Sequence, residues 1–301
     1  MQHHIIIKEC STSEETSWFW QQLAAYFHRD IFPGEGMPDF EDYRHRMQSL
    51  HDRRENPIRY LLFLREGQRI GFCLTAIYDT EDCKQFILEF SVLPAFRGDG
   101  TGKACAAALL EWGRQHKAKF AELNADTPQR QRFWQTFGFI PNGRDQYGIP
   151  LMLLPPRERV PFTVEILTDP DELWNLESSF LDEIGEDPLD DGKKECLRSA
   201  VRERRIIFFV ARRLHRPVGI CSVSPYFSTF ACGMAAAFDD FYVEPAFRSQ
   251  GAARLLAAAA QDWCRSQHCC SLTVGCSDGD IGLYRALGFG TRLGTLLAAA
   301  L

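Results

Sequence analysis

The sequence predicts an α/β (α+β) chain of two consecutive domains, each a mixed, mostly antiparallel sheet of about six to seven strands flanked by about four helices. Three observations predict it. Glu89-Phe-Ser-Val-Leu-Pro-Ala-Phe-Arg97 returns as Asp240-Phe-Tyr-Val-Glu-Pro-Ala-Phe-Arg248. Each copy runs into a turn of small residues and then an alanine-rich helical stretch. The 301 residues are long for one core and suit two of about 150 each. Pro155-Pro156-Arg157-Glu158-Arg159, with Pro161, resists continuation of either neighbour. It divides the chain into domains 1–156 and 162–301, with 157–161 as linker.

After a short first strand, Thr12 to Ile31 and Asp39 to Arg54 carry helical apolar spacing, broken by Pro33-Gly34. Arg59 to Leu64, Ile70 to Tyr78 and Phe86 to Leu93 are β-branched or aromatic runs separated by turn residues, which reads as an antiparallel meander. Gly102 to His116 is the alanine-rich helix, Phe120 to Asn124 a strand, Thr127 to Phe137 a helix stopped at Gly138, and Ile149 to Leu154 a strand. The second half repeats the order. Strands are expected at 162–167, 206–210, 218–223, 235–243, 271–274 and 295–301, and helices at 171–184, 193–204, 251–266 and 282–286.

Apolar residues make up 45% and charged residues 25% of the chain, a globular composition with no low-complexity tract. A formal charge of −6 disfavours a nucleic-acid partner, which requires a basic face. Eleven cysteines, without a C-x-x-C pair and odd in number, read as reduced thiols. Cys264, His268, Cys269 and Cys270 lie close together but lack a second ligand pair, so no metal is expected. With no secretory leader and no apolar run of membrane-spanning length, the expected location is cytoplasmic, with no membrane partner.

The repeated turn is the chemically informative segment. Val92-x-Pro-x-x-Arg97-Gly98-Asp99-Gly100-Thr101-Gly102 and Val243-x-Pro-x-x-Arg248-Ser249-Gln250-Gly251-Ala252-Ala253 both join an apolar strand to a helix. Unpaired N–H groups and the positive end of a helix dipole converge there, and an arginine adds permanent charge, so the segment suits a pyrophosphate. The spacing fits neither the dinucleotide fingerprint nor the nucleotide P-loop. Further on, Phe133-Trp134-x-x-x-Gly138-Phe139 and Leu283-Tyr284-x-x-x-Gly288-Phe289 form a second repeated pair.

With both motif pairs present in both halves, the chain resembles the GNAT superfamily of acyl-CoA-dependent N-acyltransferases over nearly all of its length. The resemblance implies that Val92, Arg97 and 98–102, and likewise Val243, Arg248 and 249–253, bind the coenzyme A of acetyl-CoA, with the second motif near the thioester sulfur. It implies N-acetyl transfer to a primary amine of a small molecule. Alternatives left open are a non-catalytic acyl-CoA sensor or assembly module, and acetylation of a protein or peptide N-terminus. Oligomeric state stays open between monomer and homodimer.

Acyl transfer poses three problems. An amine of pKa about 10 must lose a proton before attacking, the carbonyl oxygen gains charge, and the thiolate leaves more readily if protonated. The resemblance places Asp240 and Glu89 where a carboxylate drains the amine proton, backbone N–H groups near Val243 and Val92 where the carbonyl is polarised, and Tyr284 where a phenol protonates the thiolate. In the first half Trp134 stands at that place, and an indole has no accessible titration. The second half is therefore the expected catalytic domain; a working first half would need Glu89 and another acid such as Tyr147. Asp182, Glu183, Glu186, Asp187, Asp190 and Asp191 form an acidic run between the first two helices of the second half. It reads either as a solvated loop or as a wall that attracts ammonium groups.

Overall fold

A computed structural model describes residues 4–34, 39–145, 147–158 and 160–294. Contacts divide the chain into two units, Met1–Arg157 and Glu158–Leu301.

In the first unit the sheet order is β1 (Ile6–Glu9), β2 (Ile58–Arg65), β3 (Gln68–Tyr78), β4 (Lys84–Val92), β5 (Phe120–Asn124), β7 (Pro150–Leu154), β6 (Ile140–Arg144). Among the described residues, only β4 and β5 pair in parallel there. Both faces are covered, so β2 reads as a nearly unbroken apolar run. Tyr60 and Leu62 pack with Phe19, Trp20 and Leu23 of α1 (Ser13–Tyr26) and Met47 of α2 (Phe40–Asp52). Leu61 and Phe63 alternate to the other face, with Cys105 and Leu109 of α3 (Thr101–Gln115) and Trp134 of α4 (Pro128–Gln135). Strand β6 was not expected from sequence; Pro141 and Gly143 weaken its signal, and proline is tolerated because β6 is an edge strand. The expected first helix ends early, its last turn widening into a π-helical turn at Phe27–Ile31.

The second unit has the order β12 (Leu272–Thr273), β11 (Gly233–Val243), β10 (Arg216–Ser228), β9 (Ile207–Arg213), β8 (Phe162–Ile166). Again one pair is parallel, β11 with β12. Helices α5 (Trp174–Ile184) and α6 (Asp191–Arg202) pack through Leu176 and Leu197 onto Phe208, Val210, Ile220 and Tyr242. Helix α7 (Ala252–Ser266) buries Leu256, Ala257 and Ala260, and α8 (Ile281–Ala286) follows β12. The expected closing strand at 295–301 lies outside the described residues.

One construction repeats in both units. The long central strand pairs with its parallel neighbour only over its first part: Lys84–Ile87 with Phe120–Leu123, and Ala236–Ala237 with Leu272–Thr273. A bulge interrupts the strand's other edge in each unit, between Leu74 and Thr75 opposite β4 and between Ile220 and Ser222 opposite β11. Past Ile87 and Ala237 no further pairing joins the central strand to its parallel neighbour among the described residues, which leaves a wedge beside 88–92 and 238–243. Gly71 and Gly219 lie opposite Val92 and Val243, where a Cβ would fall 2.5 Å from Ser91 O and 2.8 Å from Tyr242 O. The close approach requires glycine at both positions.

Candidate active site

In the second unit the wedge ends at a turn built to present amide hydrogens. Beyond Val243, the buried Glu244 accepts two hydrogen bonds from the Arg216 guanidinium, Nε at 3.0 Å and Nη2 at 2.7 Å, which fixes the strand end. Pro245–Phe247 forms one 3₁₀ turn. Arg248 Nε then donates to Val243 O at 2.8 Å, and its Nη2 pairs with Glu183. Ser249 and Gly251 adopt left-handed backbone conformations, φ +59° and +101°, and α7 begins directly with no side-chain cap. Gln250 points away, accepting from Arg213 Nη1 and donating to Ala246 O, both at 2.8 Å. Alternating left-handed residues ahead of an uncapped helix make a concave set of N–H donors, suited to an anion.

The first unit copies the backbone but not the charge. Arg97 Nε donates to Val92 O at 2.7 Å and Nη2 to Asp30 Oδ2 at 2.8 Å, while Gly98 and Gly100 take φ +97° and +89°. Here the position equivalent to Gln250 is Asp99. Its carboxylate accepts from Thr101 N at 3.0 Å and from the Thr101 hydroxyl, and Arg65 bonds the same hydroxyl at 3.0 Å. Thr101 is wholly buried and Gly102 follows it inside α3. This cradle already has a carboxylate at its mouth, paired with Arg65 Nη1 at 3.4 Å.

The two strand carboxylates also differ in company. Asp240, at φ +47° on β11, accepts from Ser222 Oγ at 2.6 Å. Burial raises its pKa, Ser222 opposes the rise, and Asp239 adds to it. Glu89 on β4 accepts from Tyr43 Oη at 3.3 Å; burial pushes it up to about 8 against the pull of that bond and of Arg130. Sequence reasoning did not find Tyr43, which α2 brings across 46 residues.

Tyr284 on α8 packs against Phe241, one residue beyond Asp240, at 6.1 Å between ring centroids, and against Phe238 and Phe289 at 6.5 and 6.0 Å. Burial chiefly, then Asp280, Cys276 and Asp239, pushes its phenol up to about 12, so it carries its proton at neutral pH. Trp134 is buried in the first unit's core, edge-on to Phe90, Phe133 and Phe139. Tyr147 is 76% exposed on the β6–β7 turn. All six acids of the 182–191 run are exposed; Glu183 pairs with Arg248, and Asp190 caps α6 by accepting from Lys193 N at 2.7 Å.

A further acid was missed by sequence reasoning. Glu177 on α5 is 6% exposed, and its Oε2 has no hydrogen-bond partner among the described residues. Burial pushes its carboxyl up to about 7, reinforced by the nearby Asp240 charge. Its signal was legible: Glu177 is four residues after Leu173 and three before Phe180, on the apolar stripe of its helix.

Solved acetyltransferases are similar to parts of this chain. One from Trypanosoma brucei is 20% identical with a TM-score of 0.40, covering 46% of this chain and 100% of its own. Glucosamine-6-phosphate N-acetyltransferase from Arabidopsis thaliana is 15% identical with a TM-score of 0.39, covering 46% and 99%. An aminoglycoside acetyltransferase from an uncultured soil metagenomic sample is 15% identical with a TM-score of 0.42, covering 46% and 95%. No curated protein matches the chain. The family model for the acetyltransferase (GNAT) family matches residues 18–139 and again 170–289. The chain therefore belongs to the acetyltransferase (GNAT) family and carries its domain twice.

Proposed function

We propose that the chain is an acetyl-CoA-dependent N-acetyltransferase that acetylates a primary amine of a small molecule, with the second unit catalytic. The observation that carries this reading is a half-buried carboxylate on β11, Asp240, next in sequence to Phe241, against which the protonated phenol of Tyr284 on α8 packs, on a strand that leads to an uncapped amide cradle.

The cradle suits the coenzyme's diphosphate: Arg248 and the backbone of Ser249, Gln250, Gly251, Ala252 and Ala253 would hold it, with the negative charge at the positive end of α7. Acetyl-CoA supplies a thioester, whose carbonyl accepts the amine and whose thiolate leaves. The chain's own residues manage protons around that exchange. Asp240, with its pKa raised, accepts a proton from the incoming ammonium more readily than an ordinary aspartate. The strand end at Val243 directs backbone dipoles toward the developing oxyanion. Tyr284 keeps its proton until a thiolate of pKa about 8.5, by analogy with cysteine, calls for it.

Incubating the protein with acetyl-CoA and a panel of alkylamines, diamines and amino sugars, and following free thiol, tests the reading. Amine-dependent thiol release is the expected result. Tight acetyl-CoA binding with no release for any amine would leave only an acyl-CoA-binding module.

A further inference from the structure

Glu177 needs an explanation that the fold does not provide. A glutamate on the core-facing stripe of a helix is costly to bury, and the cost is ordinarily offset by a cation or several donors. Here the carboxylate is 6% exposed, its Oε2 lacks a hydrogen-bond partner among the described residues, and the neighbouring charge acting on it is another acid, Asp240. Asp240 itself has one hydroxyl donor, Ser222, and a second acid, Asp239, beside it. Helix α5, which carries Glu177, packs on β11, which carries Asp240, so two acids, one of them without a partner for Oε2, share a water-poor place.

The buried strand acid of the first unit has an internal donor, although burial still pushes it up to about 8. Glu89 receives a hydrogen bond from Tyr43, and the Arg130 guanidinium lowers its pKa. Among the described residues, Glu177 Oε2 has no hydrogen-bond partner and Asp240 accepts from the Ser222 hydroxyl. A proton or a cation from outside the chain would balance this acid pair.

We infer that Glu177 and Asp240 together form the receptor for the ammonium head of the acceptor, so that the substrate is an alkylamine that arrives as a cation. This rests on the proposed transferase reading and deepens it. An –NH₃⁺ group brings three donors, enough to give Glu177 Oε2 a bond while a second goes to Asp240. Glu177 holds the ammonium head, while Asp240 takes one proton from it and leaves the neutral amine beside the strand end where transfer occurs. Balance is simple: the ammonium N–H bond breaks, a carboxyl O–H bond forms, and the lone pair left on nitrogen attacks.

Glu177→Gln tests the assignment, because it keeps the shape and removes the charge. With the best alkylamine of the panel, the variant should raise KM for the amine at least about tenfold, change kcat far less, and leave acetyl-CoA affinity by calorimetry unchanged, with Glu177→Asp restoring part of the loss. In a second readout without chemistry, propylamine added to protein saturated with desacetyl coenzyme A should raise the melting temperature of the wild type and not of the variant. An unchanged amine KM in Glu177→Gln, or a parallel loss of acetyl-CoA affinity marking a merely structural role, overturns the inference while leaving the transferase reading intact. A wild type that binds acetyl-CoA but releases no thiol with any amine removes the transferase reading instead. The melting experiment then still decides whether the acid pair binds ammonium.

Discussion

The two units of this chain hold the same backbone device and furnish it oppositely. In the first, the cradle at 97–102 carries its own carboxylate, Asp99, bonded to Thr101, and the strand acid Glu89 is matched by Tyr43 and Arg130. In the second, Gln250 turns its side chain out of the cradle, and the charge of the strand acid Asp240 raises the pKa of a second buried acid, Glu177. The carboxylate at the cradle is replaced by glutamine, while the strand acid keeps its place in both units. In the proposed reading, a cradle with glutamine in place of Asp99, and a strand acid with a second acid on the helix packed against it, suit ligands of opposite sign. The comparison teaches that a duplicated fold can keep its geometry in both copies while only one retains unmet electrostatic demand.

The largest effect that can break this contrast concerns the strand acids. Removing one general base costs about 10²- to 10⁴-fold, so Asp240→Asn should slow amine-dependent thiol release at least about a hundredfold. Glu89→Gln should change it less than about twofold. Equal losses would mean that both units work, and the assignment of catalysis to the second would fail.

Coenzyme stoichiometry sharpens the phosphate end. Calorimetry with acetyl-CoA should give one site per chain, because a diphosphate approaching the first cradle meets the Asp99 carboxylate. Asp99→Gln gives the first unit the side chain that the second already has. A second, weaker site should then appear. Two sites in the wild type would show that Arg97 and Arg65 outweigh Asp99.

Much of the architecture was readable before any fold was known. The tandem repeat, the order of elements and the strand acids all follow from contiguous residues, because a strand–turn–helix unit writes its pattern locally. What was not readable depends on the third dimension. Tyr43 reaches Glu89 from a different helix, and Gln250 and Asp99 differ through partners 37 and two residues away. Glu177 could have been flagged as an acid on an apolar stripe, but only packing of α5 on β11 brings it to Asp240. Strand β6 escaped because proline and glycine mask an edge strand that is held by its neighbour rather than by its own propensity.

A smaller effect should appear in stability against pH. Glu89 has its folded pKa raised to about 8 from an ordinary 4.5. The folded chain thus holds a proton that the unfolded chain releases between those values, and stability falls as pH rises through that window. The slope should be roughly 1 kcal/mol per pH unit, allowing for the acid's partial exposure. Urea unfolding of the full chain at pH 5 and pH 8 should show the loss. In Glu89→Gln the same difference should shrink by that amount; an unchanged difference would mean that Tyr43 and Arg130 hold Glu89 ionised.

The smallest expected effect separates backbone from side chain in the second cradle. Ser249 sits at φ +59°, where the first unit has Gly98 at φ +97°. A non-glycine residue in the left-handed region costs about 1 kcal/mol, and glycine loses about 0.5–1 kcal/mol more conformational freedom on folding. The two nearly cancel, so Ser249→Gly should leave stability within about 0.5 kcal/mol by urea unfolding. If the cradle works through its amide hydrogens, acetyl-CoA affinity should also change less than about twofold, since the variant keeps every N–H in place. A tenfold loss would show instead that the Ser249 hydroxyl is itself a phosphate donor, and that the second unit differs from the first by a side-chain contact as well as by the absence of Asp99.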